Sequence, residues 1–156
     1  RVSEPQNDMQ DLYRELILDH SRNPRHFGRL SDATHTADGI NPLCGDKLRL
    51  YLRVNEQGCI ESSSFEGSGC AISVASASLL TDTVTGLPVN QAESCFEALT
   101  HRLTGDAGGN RCDSSLDKLR ALDGVRDHPA RVKCATLAWH TLHSALKNES
   151  TPATTE

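Results

Sequence analysis

Apolar residues recur at helical spacing from Met9 to His20, where Leu12, Tyr13, Leu16 and Ile17 share one face. Asn7 or Asp8 can cap this helix, and Asn23-Pro24 ends it. A turn-rich stretch with Gly28, Asp32 and Gly39 follows, and Ala33 to Ile40 is read as a first short strand. The period then changes from 3.6 to 2. Over Lys47 to Asn55, Leu48, Leu50, Leu52 and Val54 point one way, and Lys47, Arg49 and Arg53 point the other. That alternation predicts a half-buried strand. Glu56-Gln57-Gly58 turns the chain, and Cys59 to Glu66 predicts a second strand of a hairpin with one wet face.

Helical spacing returns afterwards. Cys70 to Thr83 is rich in Ala and Ser and carries Ile72, Val74, Leu79 and Leu80. It follows Gly67-Ser68-Gly69, read as a flexible entry, and Gly86 closes it. Pro88 opens a helix from Val89 to Leu103. Gly105 to Asn110 reads as a loop and Ser115 to Leu122 as a short helix. Arg131 to Lys147 forms a last helix with Cys134, Leu137, Ala138, Thr141, Leu142 and Ala145 as its buried stripe. Strands first and helices later predict an α+β fold, with a small antiparallel sheet of about three strands packed against helices. Residues 8–147 read as a single domain, and the polar segments 1–7 and 148–156 as flexible termini.

Composition narrows the function classes. The chain has 156 residues and a net charge of −5, enough for a core without staples. No Lys/Arg run offers a nucleic-acid face. No apolar stretch approaches the about 20 residues of a helical membrane span. With no secretory signal visible, the expected address is the cytoplasm.

The six cysteines, at 44, 59, 70, 95, 112 and 134, then carry the argument. They include no CxxC pair, which disfavours a thioredoxin-like dithiol. Three lie at structural junctions: Cys44 in the loop entering a strand, Cys70 at the opening of a helix, and Cys134 in the expected first turn of the last helix. Thiols at helix N-termini face unpaired N–H groups that favour the thiolate, which is both metal ligand and nucleophile. Asp46 lies two residues from Cys44 with Gly45 between, so both side chains can reach one centre. Three sulfurs and one carboxylate oxygen suit a tetrahedral site, and soft thiolates select zinc or iron–sulfur clusters. Spacing alone does not require a shared site, because a free cysteine often simply packs. Cys59, Cys95 and Cys112 are read that way.

Three segments go further: Asn41-Pro42-Leu43-Cys44-Gly45-Asp46, Gly67-Ser68-Gly69-Cys70-Ala71-Ile72-Ser73 and Arg131-Val132-Lys133-Cys134-Ala135-Thr136-Leu137-Ala138-Trp139. In order and content they resemble the signature segments of the SufU branch of the SufU/IscU (NifU N-terminal-like) family of iron–sulfur cluster assembly proteins. The resemblance extends over about Asp8 to Leu146. IscU proteins usually carry a His before the third cysteine, where this chain has Lys133, and Gly105 to Ala130 is similar to the SufU-type insert.

The resemblance implies that Cys44, Asp46, Cys70 and Cys134 bind a metal, typically zinc, with iron or a transient Fe–S cluster as the alternative cargo. It implies that Cys44 accepts persulfide sulfur from a SufS-type, pyridoxal-phosphate cysteine desulfurase, with a histidine of that partner taking the place of Cys44 on the metal. It also implies that Arg131 sits beside the site, and that downstream cluster assembly proteins are further partners. The expected activity is sulfurtransferase-like. The alternative is a scaffold on which a cluster assembles. A zinc hydrolase fits poorly, because a fully ligated three-thiolate site leaves no open water position.

Overall fold

In the computed structural model, residues 5–42, 45–104, 122, 125, 128–147 and 153–154 are described. The elements run α1 (Pro5–Arg22), β1 (His35–Asn41), β2 (Asp46–Val54), β3 (Ile60–Ser68), α2 (Ala71–Val84), α3 (Val89–Thr104), α4 (Pro129–Leu146) and β4 (Ala153–Thr154). The helix expected over Ser115 to Leu122 lies outside the described residues except for Leu122. The helix and strand expectations elsewhere match to within a few residues. The largest shift is at α1, which begins at Pro5 rather than Met9.

The sheet has the order β3-β2-β1-β4. Strands β1, β2 and β3 are antiparallel, and the two-residue β4 adds in parallel at Gly39 and Ile40. The period-2 pattern of β2 sorts its side chains as expected: Leu48, Leu50 and Leu52 are buried, whereas Lys47, Arg49 and Arg53 are exposed. Tyr51 shares the outward face of Arg49 yet is buried, with its hydroxyl donating to the Glu66 carboxylate across the ladder. Beside it, Arg49 donates to Asp38 at 2.7 Å on the neighbouring strand. A cross-strand row of polar pairs therefore covers the outer face.

Helix α4 is the centre of the fold rather than one of its walls. The expected stripe is buried, but so are Ala135, Thr136, Trp139 and Ser144. It packs against α2, α3, β1, β2 and β4, and a helix enclosed by neighbours buries more than one face. At Gly39 the approach to β1 is so close that a Cβ would lie 2.1 Å from Thr141 Oγ1. Helix α2 is packed through its small residues. Ser76 donates to the Ala135 carbonyl of α4, and Ser78 Oγ meets His20 Nδ1 of α1 at 2.7 Å and Arg25 N at 2.8 Å. Its Ala/Ser composition thus serves close helix contacts.

Candidate metal centre

Three separate parts of the fold deliver three of the four expected ligands to one corner. The β1–β2 hairpin ends on the paired residues Asn41 and Asp46, so Asp46 opens β2 with its side chain at the sheet's end. The β3–α2 junction delivers Cys70, which caps α2 with its sulfur 3.4 Å from the Ser73 amide. Helix α4 delivers Cys134. Ligand atoms of Asp46, Cys70 and Cys134 all lie within 4.8 Å of one another. In a tetrahedral zinc–thiolate site, sulfurs about 2.3 Å from the metal stand about 3.8 Å apart. The three groups therefore need only a small contraction to share an ion.

The surroundings of Asp46 also fit a cation. The residue is fully buried. Its Oδ1 accepts from the Cys70 backbone N–H at 2.9 Å, and its Oδ2 accepts from Asn41 Nδ2 at 3.3 Å. Cys70 Sγ stands 4.0 Å from Oδ2. No Lys, Arg or His pairs with this carboxylate among the described residues. A buried carboxylate without a counter-charge is costly, and metal coordination is one of the few ways to satisfy it.

The structure corrects or completes several expectations. Cys134 is not in the first turn of its helix. Pro129, favoured at a first helical position, starts α4 with His128 as its cap, and Cys134 follows five residues later. Helix-terminal N–H groups therefore act at Cys70 and not at Cys134. The segment Gly67-Ser68-Gly69 is not a loose entry: Gly67 and Ser68 belong to β3, and a Cβ on Gly69 would lie 2.5 Å from Asp46 Oδ1. Arg131 is exposed in the first turn of α4 and makes no hydrogen bond or ion pair to Asp46, Cys70 or Cys134. Cys44 and Cys112 lie outside the described residues. Cys95, expected only to pack, is disulfide-bonded to a partner outside them; the Cα separation a disulfide needs is a tertiary fact. Cys59 is free and half-buried.

Two contributors carried no separate signal in the sequence. Asn41 and Gly69 are ordinary members of turn-like stretches until the fold sets one against Cys134 and the other against Asp46. A groove of about 350 Å³ lies elsewhere, on the outer sheet face by Asp38, Ile40, Lys47, Arg49 and Glu66. It contains no thiol. The candidate metal centre is at the sheet's end.

The fold and donor set define the class as a small α+β protein with a candidate thiolate–carboxylate metal centre. Residues 12–152 match the family described as NifU-like N terminal domain. The chain is 38% identical over 142 residues to the zinc-dependent sulfurtransferase SufU of Bacillus subtilis (strain 168), covering 91% of this chain and 94% of that protein. It is 39% identical over 141 residues to the iron–sulfur cluster assembly scaffold protein IscU of Thermotoga maritima, covering 90% and 96%. Among solved structures, a protein described as an iron–sulfur cluster assembly scaffold for the SUF system from Fervidobacterium islandicum AW-1 superposes with a TM-score of 0.79 at 30% identity, over 85% of this chain and 94% of that one. The chain belongs to this NifU-like N-terminal domain family, the SufU/IscU family of iron–sulfur cluster assembly proteins. No helix among the described residues is long and apolar enough to cross a membrane.

Proposed function

We propose that this chain is a zinc-bound sulfur acceptor, taking sulfane sulfur from a SufS-type cysteine desulfurase onto Cys44 and passing it to downstream cluster assembly proteins in the cytoplasm. The observation that carries the reading is the convergence of Asp46, Cys70 and Cys134 within 4.8 Å, at the end of the hairpin whose connecting loop contains Cys44. Cys44 stands two residues before Asp46 in the chain and supplies the fourth ligand. Zinc at this position would hold the sulfurs as thiolates at neutral pH.

The chain's own residues divide the work. Asp46 and Cys70 hold the metal from the starts of β2 and α2, and Cys134 from within α4. Cys44 stands in the sequence between β1 and β2 and not within a helix, so its sulfur can leave the centre without unwinding one. Its thiolate attacks the outer sulfur of the desulfurase persulfide. A new S–S bond forms on Cys44, the old S–S bond breaks, and the desulfurase thiolate leaves, as in thiol–disulfide exchange. Arg131, three residues before Cys134, is the candidate cation for this transient negative charge.

Reaction with cysteine and the desulfurase, followed by mass spectrometry, tests the proposal. One added sulfur should appear on the Cys44 peptide, desulfurase turnover should rise, and Cys44→Ser should abolish both. Sulfur found only on Cys134 would remove Cys44 as acceptor, and a chain that neither gains sulfur nor stimulates turnover would sink the transfer reading. The scaffold reading draws on the relatives named as IscU scaffolds. It gains if the protein is purified brown with iron and sulfide rather than colourless with about one zinc. Lys133 stands where IscU proteins usually carry a His, which supports transfer over scaffolding.

A further inference from the structure

We infer that Asn41 is a positioning residue of the metal centre, its side-chain amide holding the Asp46 carboxylate and the Cys134 sulfur in one arrangement. The inference rests on the metal-centre reading above and assigns a role to a residue outside the ligand set. Asn41 Nδ2 donates to Asp46 Oδ2 at 3.3 Å and to Cys134 Sγ at 3.6 Å. One NH₂ group therefore bridges two ligands that lie 88 residues apart, from 134 minus 46. Both partners are acceptors, so the amide orientation is decided: the nitrogen has to face the ligands.

The backbone fixes this bridge. Asn41 is the last residue of β1 and the direct partner of Asp46 in the ladder, so the two side chains leave the sheet on one face. Pro42 follows it and restricts Asn41 to extended backbone. The bridge also ties together the two residues at the base of the loop that carries Cys44. It thus holds two of the proposed ligands by direct hydrogen bonds.

A purely structural role does not account for this side chain. Asn41 is 1% exposed, yet among the described residues its buried Oδ1 has no hydrogen-bond partner. Burying an orphan acceptor costs stability. An apolar side chain of the same size would remove that cost but leave the buried Asp46 Oδ2 without its Asn41 donor. What the amide contributes is therefore made by its nitrogen, at the ligands. Hydrogen bonds from outer partners orient metal ligands and tune the donor strength of sulfur.

The test compares wild type with Asn41→Leu, an apolar near-isostere, and Asn41→Ser. Metal-free Asn41→Leu should stay folded and melt within a few degrees of wild type, because losing the orphan Oδ1 offsets the donor that Asp46 Oδ2 loses. Its zinc affinity, from chelator competition, should fall by about 10- to 100-fold, the usual effect of removing such a partner. The cobalt(II)-loaded protein should show its sulfur-to-metal charge-transfer band at longer wavelength, because a thiolate relieved of a hydrogen bond gives up charge more easily. Zinc affinity within twofold of wild type together with an unmoved cobalt band would overturn the inference. So would loss of the metal-free fold in both variants, which would make Asn41 a structural residue. A wild-type protein that bound neither zinc nor cobalt would overturn the metal centre itself, and the role of Asn41 with it.

Discussion

Where α3 meets α4, His143 Nδ1 lies 2.8 Å from Glu93 Oε1, Phe96 stacks on His143 at 4.9 Å between ring centroids, and His140 packs edge-on against the same ring at 5.3 Å. At the other corner, Asp46, Cys70 and Cys134 meet beside Asn41. Both regions hold side chains able to bind metals. In the first, the groups satisfy one another: imidazole pairs with carboxylate and rings stack on a ring. In the second, among the described residues, a buried carboxylate has no cation, two sulfurs stand beside it, and a buried amide oxygen has no donor. The presence of His or Glu does not make a metal site. An unmet electrostatic demand at a buried carboxylate, with two sulfurs beside it, is what singles out the cysteine corner.

Removing a thiol should break the comparison most strongly. Cys70→Ala and Cys134→Ala should each lower zinc affinity by more than about 100-fold, beyond the loss expected from an outer hydrogen-bond partner. Chelation should in turn lower the wild-type melting temperature, since a metal at about 1,000 times its Kd contributes about 4 kcal/mol. Either variant binding zinc with wild-type affinity in a competition assay would take that cysteine off the ligand set. Asp46→Ala should come next. The carboxylate is the hard, exchangeable ligand among soft ones, so metal release should quicken by about tenfold or more. An unchanged release rate would deny it direct contact with the metal.

Gly69→Ala sharpens the contrast without touching a ligand. Its Cβ would sit 2.5 Å from Asp46 Oδ1, so the carboxylate or the chain has to move. Overpacking of this kind costs about 1–3 kcal/mol, and zinc affinity should fall with it. A variant with normal stability and affinity would show that the corner has slack.

On the histidine face the effects should be smaller and independent of metal. Burial holds His140 below its ordinary value of 6.5, with the nearby His143 adding to the depression. The unfolded chain therefore takes up this proton first. Stability should be level above about pH 7 and decline as pH falls through the unfolded value near 6.5, an effect that His140→Gln should reduce. Melting curves at pH 7.5 and 5.5 decide it, and an equal decline in His140→Gln would place the pH sensitivity elsewhere. Zinc affinity should be unaltered in the same variant. The smallest effect belongs to Cys59→Ala, which should bind zinc normally and lose less than about 1 kcal/mol. It is a cleaner control than Cys95, whose sulfur is already disulfide-bonded.

Local pattern alone was enough to show the alternation of Leu48, Leu50 and Leu52, the capping position of Cys70 and the apolar stripe of the last helix, because each depends on residues within a few positions of one another. The cysteine segments in their order also pointed to the family. Several features depend on residues far apart, and only the tertiary structure decided them. Asp46, Cys70 and Cys134 are separated by gaps of 24 and 64 residues and become neighbours only when the hairpin end, the start of α2 and α4 meet. Burial of Trp139 and Ser144 beyond the expected stripe follows from α4 lying among five other elements. Gly69 has to be small because Asp46 lies against it, and Asn41 has two acceptors because the fold carries Cys134 to the end of β1. Periodicity reports which face of an element is apolar; it holds no information about which parts of different elements will touch, and that is where the candidate metal centre lies.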